Sequence, residues 1–535
     1  MRAADALIEA IWDRGIDTVF GVPGGAALPL YDALAASPIR HILARHEAAA
    51  GHAAEGWARV TGRPGVALAT SGPGAVNLLT AVADAWMDSV PVVFICGQVA
   101  THLTGTMAFQ ETDVAGMAIP VVKHSSTVGH GEDLAALFDA AFALASDGRR
   151  GPVLLEIPVD VAKGPAVGSR PRQSQQAGVS SMPVGMAKAA AELIQGSSRP
   201  LVVAGGGVVA ADAHEQLIAL TSAAEIPYVT TLHGLECGGG RGWLGMPGVY
   251  GARVANWAIH EADCILAVGA RFDDRLTGDL RGFAPHARVV HIDSDSSELG
   301  KLVKPEIAIC ADARGALEAV TGAVGAAPDR RPWWSDIQKR LAVDPITPPA
   351  AHEGEAVLDE LNAALDQDAV ITTDVGLHQM WAAHRLSLGG GRRWLTSGGA
   401  GTMGFGLPAA LGAQAAAPGR QVVCVTGDGS LLMHMQELIT ASTEQLPVKV
   451  LLLDNRSLGM VRAQQDRFYS GAYAADLGPR PDWPALARAC GVRVTESIAE
   501  LLAEPGPALH HVPIPADVEC LPIVAPGAST ATMIG

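Results

Sequence analysis

Aromatic side chains are scarce in this chain, at 4% of residues, and no run of basic residues occurs anywhere in it. The formal net charge is −17, which argues against a nucleic acid or an anionic membrane surface as partner. No apolar run reaches the ~18 residues that a membrane span requires. The amino-terminal MRAADALIEAIWDRG reads as an amphipathic helix and lacks the basic-then-apolar layout of a secretory leader. Seven cysteines (Cys96, Cys237, Cys264, Cys310, Cys424, Cys490 and Cys520) are scattered without CxxC spacing. Most fall in apolar runs, so buried reduced thiols are expected rather than disulfides or a metal site. His46, His52 and His124 likewise lack ligand spacing. A cytoplasmic location is the expectation.

What is present is small and apolar. Hydrophobic residues make up 49% of the 535, and glycine is abundant. That length suggests three or four domains at ~150 residues each. Short apolar runs end in glycine or proline turns: Thr18–Val22, Val66–Ala69, Val92–Ile95 and Val153–Ile157 early in the chain. Pro200–Ala204, Cys264–Val268 and Arg288–Ile292 follow, then Ala369–Thr373 after a helix over Glu355–Leu365. Strand, glycine turn and helix in repetition predict an α/β protein of three doubly wound parallel-sheet domains. Residues 164–184 and 326–352, rich in Gly, Ser, Gln or Pro, read as linkers. The expected domains are therefore 1–163, 185–325 and 353–535. The first and third share a pattern that hints at duplication.

The stretch from Val422 to Val461 carries the strongest chemical signal. A strand, Val422–Val425, enters Gly427-Asp428-Gly429; Ser430 is expected to cap a helix over Leu431–Thr443; a strand, Val448–Leu453, ends in Asp454-Asn455. In such a βαβ unit Asp428 and Asn455 meet at the carboxyl edge of one sheet. A carboxylate and an amide oxygen suit Mg²⁺, and the glycine turn opening a helix suits a diphosphate. Gly-Asp-Gly-Ser, a helix and a terminal Asn in this order resemble the thiamine-diphosphate fingerprint. The resemblance implies Asp428, Asn455 and the carbonyl of Ser457 as metal ligands. Glu47, in Arg45-His46-Glu47, stands where a short strand turns into a helix, and taken alone would be a carboxylate facing a helix dipole. Beside this fingerprint, RHEAAAGHAAEGWAR resembles the segment bearing the glutamate that activates thiamine through its pyrimidine ring.

Six further segments narrow the match. FGVPGGAALPLYDAL (Phe20–Leu34), ATSGPGAVNLLTAVADAWMDSVPVV (Ala69–Val93), AFQETDVAGMAIPVVKHS (Ala108–Ser125), VGARFDDRLTG (Val268–Gly278), TTDVGLHQMWAA (Thr372–Ala383) and TSGGAGTMGFGLPAALGA (Thr396–Ala413) occur in order. Over essentially the whole chain they resemble the catalytic subunit of acetohydroxyacid synthases, also called acetolactate synthases. The resemblance implies decarboxylation of pyruvate on thiamine diphosphate. The two-carbon unit is then ligated to a second 2-keto acid, pyruvate or 2-ketobutyrate, in branched-chain amino-acid biosynthesis. Glu47, Gln110 and Gly25 are then expected at the reacting centre. Phe109, Met246, Arg275 and Gln464 are expected around the substrates, where a guanidinium can fork onto a carboxylate. An ion pair of Arg275 with Asp273 or Asp274 is the plainer alternative. Expected cofactor contacts are Pro73, Asn77, Val375, Gly376, His378, Gly401, Met403, Gly427, Asp428, Gly429, Ser430, Asn455, Ser457, Leu458, Gly459 and Met460. The middle domain is expected to bind a structural FAD through Arg149, Gly205, Gly206, Gly207, Thr231, Leu232, Gly269, Arg271, Asp273, Arg275 and Asp293. A homodimer or homotetramer with active sites between subunits is implied, with a small regulatory subunit as a further partner.

Several positions depart from the family pattern. Its Met-His-Gly reads Met246-Pro247-Gly248, and its Met-Gly turn reads His233-Gly234. A tyrosine is Val22, a glutamine is Leu377, a lysine is Val159, and the tryptophan that favours 2-ketobutyrate is Gln464. These leave the acceptor open, so a carboligase with another acceptor, or a pyruvate oxidase or decarboxylase, stand as alternatives. A non-catalytic regulatory homologue is disfavoured by Glu47, Asp428 and Asn455.

Overall fold

The computed structural model describes residues 1–168, 182 and 184–535. Most of the expected 164–184 linker lies outside the described residues. Three parallel sheets form the framework. Across the first, the strands run Arg40–Leu43, Thr18–Gly21, Gly65–Ala69, Val92–Gln98, Val153–Pro158, His124–Thr127. The second runs Ile307–Cys310, Arg288–Asp293, Cys264–Val268, Pro200–Ala204, Tyr228–Thr230. The third runs Arg393–Leu395, Val370–Thr373, Val422–Gly427, Lys449–Asp454, Ala508–Pro513, Arg493–Thr495. Their inner strands are buried on both faces, which explains continuous apolar runs instead of alternation. Numbered by chain position within each, the first and third sheets share the order 2-1-3-4-6-5. The likeness between the first and third domains thus extends from sequence pattern to strand order.

These two sheets are joined through a pair of helices, Glu47–Thr61 and Gly406–Ala416. Glycine at two crossing points permits the approach. A Cβ on Gly56 would lie 2.1 Å from the Ala409 carbonyl oxygen, and one on Gly412 would lie 1.8 Å from that of Ala53. Alanines fill the rest of the seam, so the backbones pack closely with little side-chain entropy to lose. The resulting apolar core is continuous from Leu7 and Phe20 in the first domain to Phe405 and Leu431 in the third.

Three expectations are corrected. The stretch 326–352 is not a bare linker: it contains the 13-residue helix Arg331–Val343. Trp333 and Ile337, one turn apart, are buried there with Leu201, Ile259 and Ile265 of the middle domain. Prolines flanking RPWWSDIQKRLAV concealed its helical spacing. The expected helix Leu431–Thr443 is two helices, Asp428–His434 and Glu437–Thr443. Ser430 lies inside the first turn, while Gly427 occupies the cap position. No proline or glycine marks the break; tertiary contacts of His434 and Glu437 with the first domain accompany it. Finally, the carboxyl-terminal tail returns to the middle domain, with Val524 N–H donating to Val249 O (2.9 Å) and Asp279 N–H to Ala528 O (3.0 Å). No helix among the described residues is long and apolar enough to cross a membrane.

Candidate active site

Glu47 is the first residue of its helix, and the Asn77 amide donates to its carboxylate at 3.0 Å. Pro73 and Asn77 belong to the next helix, Pro73–Met87, which opens on the Thr70–Gly74 turn. A Cβ on Gly74 would lie 3.0 Å from Glu47 Oε1, and one on Gly24 would overlap Thr70. The turn bearing Gly25 therefore lies against the same strand end. Gln110 takes a left-handed φ of 63° and packs its backbone over Gly72. Gly25, Glu47, Pro73, Asn77 and Gln110 thus gather at the carboxyl edge of the first sheet. Phe109 and Met107 beside Gln110 stand exposed, at 88% and 95%.

The carboxyl edge of the third sheet holds a second gathering. Asp428, Asn455 and Ser457 are all buried, and Asn455 Oδ1 accepts the Ser457 N–H at 3.1 Å. Burial, followed by the neighbouring Asp454 carboxylate, pushes the Asp428 carboxyl up to about 7. Burial opposes ionisation of Asp454 too, but a hydrogen bond with His511 (2.8 Å) and the Arg480 guanidinium (2.6 Å) hold it below the usual carboxylate range. Asp454 was not singled out from sequence, although it directly precedes Asn455. His378 is buried with Nε2 lacking a hydrogen-bond partner, and burial pushes its imidazole down to about 4. Its ring fits against Gly427 and Gly376, where Cβ atoms would come within 2.8 and 2.9 Å. Ser430 Oγ donates to Val375 O at 3.3 Å. A Cβ on Gly429 would meet Leu458 at 2.8 Å and lie 3.6 Å from the Met403 methyl. One on Gly459 would strike the Asn455 amide, and one on Gly401 would graze Val375. Met460 packs beside the core containing Leu377 and Met380. Among the described residues, no hydrogen bond joins Glu47 to this second group.

The Met403 loop is anchored from below by two aspartates missed in the sequence. Asp84 Oδ1 accepts from Ser397 Oγ at 2.9 Å, while Asp88 accepts the N–H groups of Gly398 (2.9 Å) and Gly399 (2.7 Å). His233, at a position departing from the family pattern, lies 2.9 Å from Asp88. Burial disfavours the Asp88 charge, but His233 and Arg59 outweigh it and hold the carboxyl below its usual range. His52 has carboxylate neighbours after all: Glu55 at 3.0 Å and Asp84 at 3.7 Å, all fully buried. Burial pushes His52 down to about 3 and the Glu55 carboxyl upward.

The expected acceptor residues are partly assembled. Met246 and Tyr250 are buried in one apolar cluster, and Gln464 Nε2 donates to the Tyr250 hydroxyl at 3.1 Å. Val249 N–H donates to Arg275 O at 2.8 Å. The Arg275 side chain is 67% exposed with Asp274 at 3.6 Å, which is the plainer ion pair. Asp273 caps the short Asp274–Thr277 helix. Nothing in the sequence pointed to Tyr250.

In the middle domain, Gly205, Thr231, Gly269 and Asp293 end or follow parallel strands at one carboxyl edge. Gly205 N–H and Gly207 N–H donate to Val268 O and Gly269 O, and Gly206 lies against His233. Leu232 opens a short 3-10 helix. Arg149 bonds Ser89 and the Trp86 carbonyl, and its guanidinium lies 3.5 Å from both Asp295 and Glu298. Arg271 donates to Met87 O at 2.5 Å.

Two like-ordered sheets with an acid–amide pair at one edge and a buried oxygen set at the other define a thiamine pyrophosphate enzyme. The N-terminal thiamine pyrophosphate-binding domain of that family matches residues 1–117, its central domain 187–320, and its C-terminal thiamine pyrophosphate-binding domain 374–512. Within that class the chain belongs to the acetolactate synthase large-subunit family. It is 42% identical over 558 residues to the acetolactate synthase isozyme 1 large subunit of Escherichia coli, spanning 99% of this chain and 97% of that one. It is 44% identical over 569 residues to the large subunit of Parasynechococcus marenigrum, covering 100% and 91%. A probable large subunit from Methanocaldococcus jannaschii is 41% identical over 564 residues, covering 100% and 95%.

Proposed function

We propose that the chain is a thiamine diphosphate- and Mg²⁺-dependent carboligase that makes 2-acetolactate from two molecules of pyruvate. The observation that carries this reading is the buried oxygen set of Asp428, Asn455 and Ser457 beside the glycine turn. Oxygen donors at this position fit Mg²⁺, and the free Nε2 of buried His378 fits a diphosphate oxygen. When bound, the cofactor supplies the electron sink that decarboxylation of a 2-keto acid requires. Glu47, oriented by Asn77, would hold a proton against the cofactor's ring nitrogen. Leu458 and Met403, which pack beside Gly429, would shield a cofactor bound there from water. Gly25 carries no side chain beside the strand end and would leave room there for the substrate, with Gln110 nearby; Phe109 stands exposed next to Gln110 and would be free to contact it. A working unit of at least two subunits, in which Glu47 of one subunit would face the diphosphate site of another, belongs to the same reading. A tetramer, and a small regulatory subunit beside this large one, belong to the same reading. Incubation with pyruvate, Mg²⁺ and thiamine diphosphate, with products identified by mass spectrometry, should yield acetolactate. Acetaldehyde or acetyl phosphate as the main product would favour a decarboxylase or oxidase instead.

FAD is proposed as a structural cofactor of the middle domain. Arg149, Arg271 and Asp293 stand with the Gly205–Gly207 turn near its carboxyl edge, which supports binding of a phosphate-linked dinucleotide. The purified protein should be yellow, and product should form without net flavin reduction. A colourless preparation that stays fully active after attempted reconstitution would remove FAD from the scheme. Stoichiometric flavin reduction during turnover would point to an oxidase.

The acceptor preference should follow Gln464. An indole wall can discriminate one methylene by ~1–3 kcal/mol. The amide of Gln464 is instead tied to Tyr250 and presents a narrower, polar surface. With pyruvate in excess over 2-ketobutyrate, acetolactate should dominate, and herbicides that stack on the family's tryptophan should inhibit weakly. Gln464→Trp should shift product toward acetohydroxybutyrate in a competition assay. A strong wild-type preference for 2-ketobutyrate would defeat this argument.

A further inference from the structure

We propose that Glu437 is a positioning residue for Glu47, acting from the third domain on the backbone from which Glu47 projects. Its carboxyl is fully buried in the first turn of the Glu437–Thr443 helix. Oε1 accepts the Arg45 N–H at 2.9 Å, and Oε2 accepts the Thr440 hydroxyl at 2.7 Å. Thr440 Oγ1 lies 3.4 Å from Leu43 O, and Arg40 bonds Glu444 one turn further along. The whole of this short helix is therefore docked along the end of the Arg40–Leu43 strand. The next two residues after Arg45 are the cap, His46, and Glu47 itself. His46 Nδ1 accepts the Ala48 N–H at 3.1 Å, and its ring lies 5.4 Å from that of His434, on the helix that Asp428 opens.

Adhesion between the domains does not explain a carboxyl here. The glycine-mediated helix crossing already closes that interface with apolar contacts. Burying an acid is costly, and a well-packed apolar side chain would hold the domains as well or better. What the carboxyl adds is directional: an acceptor that fixes one peptide N–H two residues before the reacting group. Misplacement of about 1 Å at a reacting centre costs on the order of 10²-fold in rate. Burial pushes the Glu437 carboxyl up to about 7, so a neutral amide of the same shape can take its place and still accept from Arg45.

This inference rests on Glu47 as the activating carboxylate, and the experiment separates the two claims. Glu437→Ala, Glu437→Gln and Glu437→Met are each made in the wild type and in Glu47→Gln, and assayed as holoenzyme with pyruvate. Glu437→Ala and the volume-matched Glu437→Met should lower kcat on the order of tenfold or more, with KM and cofactor half-saturation little changed. Glu437→Gln should recover turnover to within about threefold of wild type. In the Glu47→Gln background the same substitutions should cost nothing further, because residues that act through one group are not additive. A loss carried undiminished into that background, or wild-type kcat in both Glu437→Ala and Glu437→Met, would overturn the proposal. Glu47→Gln with full turnover would overturn the underlying reading of Glu47.

Discussion

Replacing Glu47 by glutamine should lower turnover by on the order of 10²-fold or more while cofactor binding and the melting profile stay near wild type. The physical reason is specific to the carboxylate. Asn77 already donates one hydrogen bond to Glu47 at 3.0 Å, leaving the second oxygen for a ring nitrogen. An amide keeps the shape but presents an N–H group in place of one acceptor, and it carries no charge to stabilise the protonated ring. The helix start around it should be unaffected, since His46 caps the helix through its own side chain. Steady-state kinetics at saturating cofactor, with bound thiamine diphosphate quantified, are the measurement. Wild-type kcat with cofactor bound would remove Glu47 from its proposed role.

Asp428→Ala should raise the half-saturation values for Mg²⁺ and thiamine diphosphate together, by on the order of 10- to 100-fold. Asp428 is a buried carboxyl beside a second carboxylate, Asp454, and both burial and that neighbour resist its ionisation. A bound divalent cation would offset the repulsion between the two acids. On the proposed reading, alanine would remove both an oxygen ligand and the charge that draws the ion in. Turnover at saturating Mg²⁺ and cofactor should recover substantially, because the reacting groups remain. Titrations that leave both half-saturation values unchanged would show that Asp428 holds no metal.

The sequence was most informative where function demands fixed local chemistry. The Gly427-Asp428-Gly429 turn, the terminal Asn455 and the Glu47 segment each combine a strand end, a tight turn and a helix start within a few residues. Such junctions leave a legible pattern because glycine and capping residues are needed at set offsets. Inner strands were legible for the same reason, as apolar runs bounded by glycine with ends shifted by up to three residues, but the edge strands His124–Thr127, Tyr228–Thr230, Ile307–Cys310, Arg393–Leu395 and Arg493–Thr495, and the inner Ala508–Pro513, were not read from the sequence. The break between His434 and Glu437 was not legible. Met435-Gln436 carries no breaker, and the contacts that accompany the break come from Arg45 and His46, hundreds of residues away. The helix Arg331–Val343 was hidden by flanking prolines, although its Trp333–Ile337 spacing was there to be read.

By itself, the sequence determined the three parallel sheets, their glycine-marked edges and the types of donor placed there, because period, turn chemistry and residue type are local properties. Tertiary structure alone decided which distant groups share an environment: His511 and Arg480 against Asp454, Asp88 beside Gly398 and Gly399, Tyr250 against Gln464, and Glu437 behind Glu47. Those pairings follow from how whole sheets are wound and docked, and the burial they create is what moves charges and fixes backbones at the site.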